Sequence, residues 1–294
     1  MRSIKSAVIV AALTGAAFHR AAAQTTPAWS YTVNLTTDSA NGRPPLSIAM
    51  KHQISDHMLR TEIVQISGAS AAMAMVEGSY TIMNSADSTM TQVTPRYKMA
   101  TVMGLGMLGQ NRTVRVDTSQ YKKAIEDLGP GERLMGHATH HYRVTSSGTM
   151  TVTFGDNSCT QPVDGVSELW IAPDVDLAPA MEATLKVFGA TPGLDQIVRP
   201  ARDLSSTLPR GTPLRSITRQ TRIDAQGVPR TITTTMQYLD IQHGPVNTAL
   251  FMVPPDFKKM DLRSMMASLP PGALDSAIKQ RSGGLAATSF CGSM

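Results

Sequence analysis

The chain has 294 residues, 41% of them hydrophobic and only 17% charged, a globular composition with room for one large domain or two ordinary ones. Its formal charge of +5 is spread over scattered basic residues, and aromatic residues make up only 5%. No Lys/Arg cluster is interleaved with stacking rings, so a nucleic-acid interface has no support.

At the N-terminus, Arg2 and Lys5 precede an apolar run from Ala7 to Phe18, and Ala21-Ala22-Ala23 before Gln24 offers the small residues of a signal-peptidase site. Residues 1–23 therefore read as a cleaved signal peptide, which makes the protein periplasmic or secreted. The run is shorter than the about 20 residues a bilayer span needs, and His19 and Arg20 interrupt it. No second run of about 18 apolar residues follows, so no transmembrane span is expected after cleavage. Loss of Arg2, Lys5 and Arg20 leaves 24 basic against 22 acidic residues, a charge of +2. The two cysteines, Cys159 and Cys291, would then share an oxidising compartment, where one disulfide and two separate thiols both remain open.

The first regular element is a half-buried strand, with Trp29, Tyr31, Val33 and Leu35 alternating against Ser30, Thr32, Asn34 and Thr36. Asn41-Gly42 and Pro44-Pro45 turn the chain, and Leu46, Ile48 and Met50 resume the alternation before a turn near Ser55-Asp56 and a strand over Met58 to Ile66. Gly68 to Ala74 is a loop. Thr81-Ile82-Met83 and Met90-Thr91-Gln92-Val93 flank the turn residues Asn84 to Ser88, and Pro95 breaks the ladder before Tyr97 to Met103 resumes it. Val114 and Val116 suggest a short strand, and Tyr121 to Leu128 is assigned as another. From Leu128 to Ala172 glycines punctuate alternating runs such as Met150, Val152 and Phe154, predicting a meandering antiparallel sheet with one apolar face.

A helical interruption follows, over about 176–206. Asp176 caps a helix with Pro179 in its first turn, Leu177, Met181 and Leu185 on one face, and Glu182 four residues before Lys186. A second helix starts at Thr191-Pro192 and stops at Pro200. Two such helices should lie on the sheet. Strands return at Leu214 to Ile223, Thr231 to Ile241 and Ala249 to Val253, after which Pro254-Pro255 ends the sheet. The domain thus runs 24–262, and 263–294 form a loosely held tail.

Candidate chemistry is sparse. Gly104 to Gly109 matches G-x-G-x-x-G, but Thr113-Val114-Arg115-Val116 follows with a period of two, so the helix that would receive a phosphate is missing and no cofactor is expected. His137, His140 and His141 resemble a metal cluster, yet on one strand His137 and His141 would lie about 13 Å apart while His140 faces the other way. No Gly-x-Ser-x-Gly or His-Glu-x-x-His pattern occurs, so the protein is not expected to be an enzyme. The unusual feature is 19 methionines, concentrated around Met73 to Met107. Unbranched, polarizable methionine suits a surface that accepts varied apolar shapes, and a cavity lined by Met83, Met90, Met99 and Met103, with Met181 and Leu185 from the helix, is the functional reading. Core filling, a compositional bias and copper binding by thioethers compete with it.

The series Tyr80-Thr81-Ile82-Met83-Asn84, Thr89 to Met99, Gly136-His137-Ala138-Thr139-His140-His141-Tyr142-Arg143-Val144, Glu168-Leu169-Trp170-Ile171-Ala172 and Phe251-Met252-Val253-Pro254-Pro255-Asp256-Phe257 resembles an uncharacterised family of secreted bacterial proteins similar to the LolA/LolB lipoprotein carriers. It covers most of Trp29 to Leu262. The resemblance implies a mainly β fold, an open antiparallel half-barrel whose concave apolar face is covered by short helices. No cargo-binding arginine or release loop of the carriers matches here, so lipoprotein transport is not implied. Two functions follow as expectations: an envelope binder of lipid or another apolar molecule, or a scaffold with a filled core for an envelope protein partner.

Overall fold

The structure is a computed structural model and describes residues 25–38, 44–55, 57–68, 76–105, 114–117, 119–154, 157–180, 182, 184, 208–223, 228–262 and 264. The stretches read above as a signal peptide, a second helix and a turn at 224–227, together with Met181, Leu185, Cys291 and almost all of 263–294, lie outside the described residues.

Fifteen strands are described: β1 (Thr25–Asp38), β2 (Leu46–Ile54), β3 (Met58–Ser67), β4 (Tyr80–Asn84), β5 (Thr89–Thr94), β6 (Met99–Gly104), β7 (Val114–Asp117), β8 (Lys122–Pro130), β9 (His140–Ser147), β10 (Thr149–Phe154), β11 (Asn157–Pro162), β12 (Gly165–Ala172), β13 (Thr212–Ile223), β14 (Pro229–Asn247) and β15 (Lys258–Asp261). Twelve form one open sheet in the order β15-β6-β5-β4-β3-β2-β1-β14-β13-β12-β9-β8, antiparallel except at β15. The sheet does not close, since β15 and β8 stand at opposite ends. This is the mainly β, open antiparallel architecture that the alternating pattern and the resemblance led us to expect.

Local chemistry sets the turns. Asn84 Oδ1 accepts from Ala86 N at 3.0 Å and Asp87 Oδ1 from Thr89 N at 3.1 Å, which ties the β4–β5 connection into a tight loop. Pro95–Tyr97 is one 3-10 turn, closed by Lys98 N donating to Pro95 O at 3.0 Å, so β6 starts at Met99 rather than at Tyr97. Asp176 Oδ1 accepts from Ala178 N at 2.9 Å and caps the helix that begins at 178. The Thr212 hydroxyl accepts from Leu177 N at 3.0 Å and donates to Val175 O at 2.8 Å, pinning that helix start to β13.

Three expectations need correction. The stretch from Leu128 to Ala172 is not one meander: β9 pairs with β12, while β10 and β11 leave as a hairpin that joins β7 in a separate three-stranded sheet. Gly148, at φ 113°, redirects the chain there, and Val163 N donates to Gly148 O at 3.0 Å to close the neck of the hairpin. Ala249 to Val253 is not a strand either. Asn247 Oδ1 accepts from Ala249 N at 2.9 Å and caps a 3-10 turn over Thr248–Phe251 that buries Phe251. Nor do Pro254-Pro255 end the sheet, because β15 follows and pairs in parallel with β6, Lys258 opposite Met99.

The main core gathers Tyr31, Val33, Ile54, Leu59, Leu134, Trp170, Leu177, Ala180 and Leu214, with Trp29, Met83, Met236 and Tyr238 packed against it. The described start of the helix is therefore seated on the sheet's core. A smaller cluster of Tyr80, Ile82, Val93 and Ala100 is covered by Val253 and Phe257. Cys159 on β11 is buried and disulfide-bonded.

Candidate functional site

Residues opposite each other across an antiparallel pair share a face of the sheet. Trp29 faces Ile54, Ile54 faces Leu59, Leu59 faces Met83, Met83 faces Met90 and Met90 faces Met103. These pairs trace one apolar row across β1 to β6, about 24 Å long at the usual spacing between strands. Ile54 and Leu59 are buried, Trp29 and Met83 are half-buried against the core, and Met90 and Met103 are half-buried toward the β6 end. The row thus begins inside the core and opens as it reaches the methionines.

Two residues further along each strand, on the same face, runs a polar row. Tyr31 faces His52, His52 faces Thr61, Thr61 faces Thr81, Thr81 faces Gln92 and Gln92 faces Thr101. Two contacts link neighbours within it: Thr61 Oγ1 lies 3.1 Å from His52 Nδ1, and Thr81 Oγ1 donates to Gln92 Oε1 at 2.7 Å. The Tyr31 and His52 rings stack with centroids 5.1 Å apart. Burial holds the His52 imidazole neutral, with its pKa down to about 4, and raises the phenols of Tyr31 and Tyr238.

The structure therefore brings Met83, Met90 and Met103 side by side. Met99 shares their face, but Thr101 separates it from Met103 along β6. Met181 and Leu185 lie outside the described residues. The polar row escaped the sequence reading, although alternation from Trp29 already places Tyr31 on the apolar side. A depression of about 450 Å³ does open on the protein, but near Thr145, Val166, Arg219 and Thr221 on β9, β12 and β13; the methionines do not line it.

The three histidines do not share one strand. His137 is not on β9 but in a tight loop where it and Leu134 exchange backbone hydrogen bonds of 2.9 and 3.0 Å. Each ring meets its own carboxylate: His137 Nδ1 is 2.8 Å from Asp174, His140 Nε2 is 2.6 Å from Asp127, and His141 Nε2 is 3.3 Å from Glu168. The last contact is an ion-pair distance without hydrogen-bond geometry. Among the described residues no three His, Cys, Asp or Glu side chains converge as a metal site would require. No described helix is long and apolar enough to cross a membrane.

No protein-family profile matches the chain, and no curated protein matches it. Solved structures similar to it include a DUF1329 family protein from Desulfovibrio piger, at 10% identity over 78% of this chain and 90% of that one, with a TM-score of 0.27. They also include a domain assigned to outer membrane lipoprotein sorting from Vibrio parahaemolyticus, at 9% identity over 76% of this chain and 88% of that one, with a TM-score of 0.25. PNGF-II is a third, at 7% identity and a TM-score of 0.28; 81% of this chain aligns with 33% of that chain. A protein of a family of unknown function and a lipoprotein-sorting domain are thus both among the solved structures that align with this chain.

Proposed function

We propose that the protein is an exported, non-enzymatic binder of lipid or another apolar molecule, held at the open end of the apolar row over Met83, Met90 and Met103. The observation that supports this reading is the contiguity of Met83, Met90 and Met103, half-buried at the open end of a row whose other end is core. Flexible thioethers adapt to apolar shapes without a fixed pocket. The adjacent Thr81, Gln92 and Thr101 would meet a polar group of the same ligand, which favours an amphipathic molecule over a pure hydrocarbon. Arg2, Lys5 and the apolar run before Gln24 support export, and an exported chain would work in the periplasm or outside the cell.

An apolar fluorescent probe should bind the purified protein and be displaced by lipid extract. Met90→Asp should weaken that binding about tenfold or more, because an ionised carboxylate on an apolar contact is strongly disfavoured. Met90 is half-buried, so the variant keeps its fold by circular dichroism. A folded wild type that binds no probe, or a Met90→Asp protein with unchanged affinity, sinks the proposal and leaves the scaffold reading in front.

A further inference from the structure

β8 forms one end of the large sheet; β9 pairs with its inner side, and among the described residues no strand pairs with its outer side. Unpaired main-chain groups of an edge are a template for another strand. Lys122, Ala124, Ile125, Glu126 and Asp127 are all exposed. Since successive residues point to opposite faces, both faces of this strand are open. The opposite end of the sheet differs, for β15 has only four residues, two of them lysines.

We propose that the outer edge of β8 is a self-association surface, and that its occupant is β8 of a second copy of this chain. Charge complementarity under symmetry selects this occupant. A two-fold axis normal to the sheet makes the strands antiparallel and must oppose residues of the same face. With the axis at Ala124, Lys122 of each copy stands opposite Glu126 of the other, twice. Glu126 already meets Arg143 of β9 at 3.1 Å, so Lys122 of the second copy would complete an Arg143–Glu126–Lys122 row across the junction. A parallel arrangement would instead align lysine with lysine and glutamate with glutamate. Gly129, at φ 90°, and Pro130 end the pairing segment, which keeps the contact short and the dimer dependent on concentration.

Sedimentation velocity of the full chain across a concentration series tests this. Wild type should pass from monomer to dimer, and raised salt should weaken the dimer. Lys122→Glu and Glu126→Lys each place like charges opposite one another and should raise the dissociation constant at least about tenfold. Mixing the two variants makes every opposed pair complementary again and should restore a dimer of one copy of each, as should the double exchange within one chain. A wild type that stays monomeric at all concentrations overturns the proposal. If its β8 amides also resist hydrogen exchange, another part of the same chain covers the edge. A dimer indifferent to both variants places the interface elsewhere and overturns it equally.

Discussion

Replacing Ile54 with alanine lowers the unfolding free energy by about 2–5 kcal/mol, measured by urea denaturation at neutral pH. Ile54 is 1% exposed at the end of β2, opposite Trp29 on one side and Leu59 on the other. It is the point where the apolar row enters the main core, so the truncated side chain leaves a void that two paired strands cannot close by shifting. The slope of free energy against urea should stay unchanged, because the surface exposed on unfolding barely differs. A loss well below about 1 kcal/mol would mean that this end of the row is loosely packed, and it would remove the distinction between a buried end and an open one.

Acidification gives the second large effect. In the unfolded chain His52 takes up a proton near pH 6.5, whereas burial in the folded protein holds its pKa down to about 4. Below pH 6.5 the unfolded state therefore binds more protons, and stability falls as pH falls until the folded imidazole is protonated too. The shift corresponds to a loss on the order of 3 kcal/mol across that window, with the full contribution present above pH 6.5. His52→Phe keeps a ring against Tyr31 and should abolish the slope between pH 6.5 and 4. Thr61→Val removes the contact to Nδ1 but should leave the slope, because burial is its cause. The carboxyls of Asp127, held down by the Gly129 amide and His140, and of Asp174, held down by His137, act in the same direction but only below the ordinary carboxylate range. Stability that is flat from pH 7 to pH 4 contradicts the placement of His52.

What could be read from the sequence was what adjacent residues decide among themselves. The alternation from Trp29, the turn residues Asn84 to Ser88 and the cap at Asp176 each act within a few residues, and each forms where the pattern put it. Part of the methionine row was accessible too: a four-residue turn that opposes Asn84 to Thr89 necessarily opposes Met83 to Met90. Ala249 to Val253 has a strand's composition, and that hid a local signal, the Asn247 cap that sets a single 3-10 turn. Other features depended on distant partners. Nothing near Lys258 indicates that it will lie beside Met99, and nothing near Gly148 indicates that a hairpin leaves the sheet there to join β7. The His137 loop, by contrast, is local: Leu134 and His137 exchange backbone hydrogen bonds around Met135 and Gly136, at φ 50° and 84°.

The place of β1 in the sheet also dictates an order of events during folding. It lies between β2 and β14, and its partners across the second junction are about 200 residues later, Val33 against Tyr238 for example. A chain that emerges from its N-terminus can zip β1 to β6 together early, because these strands pair in sequence order and the longest connection among them, 68–79, has twelve residues. The far side of β1 then waits, hydrogen-bonding groups and apolar side chains bare, until β14 has been made. A sheet completed by such a distant strand folds slowly, in the range of milliseconds to seconds, and its half-built form is vulnerable to pairing with another copy. Refolding yield from denaturant should therefore fall with protein concentration, and a peptide carrying the β14 sequence Thr231 to Ile241 should compete with completion of the sheet.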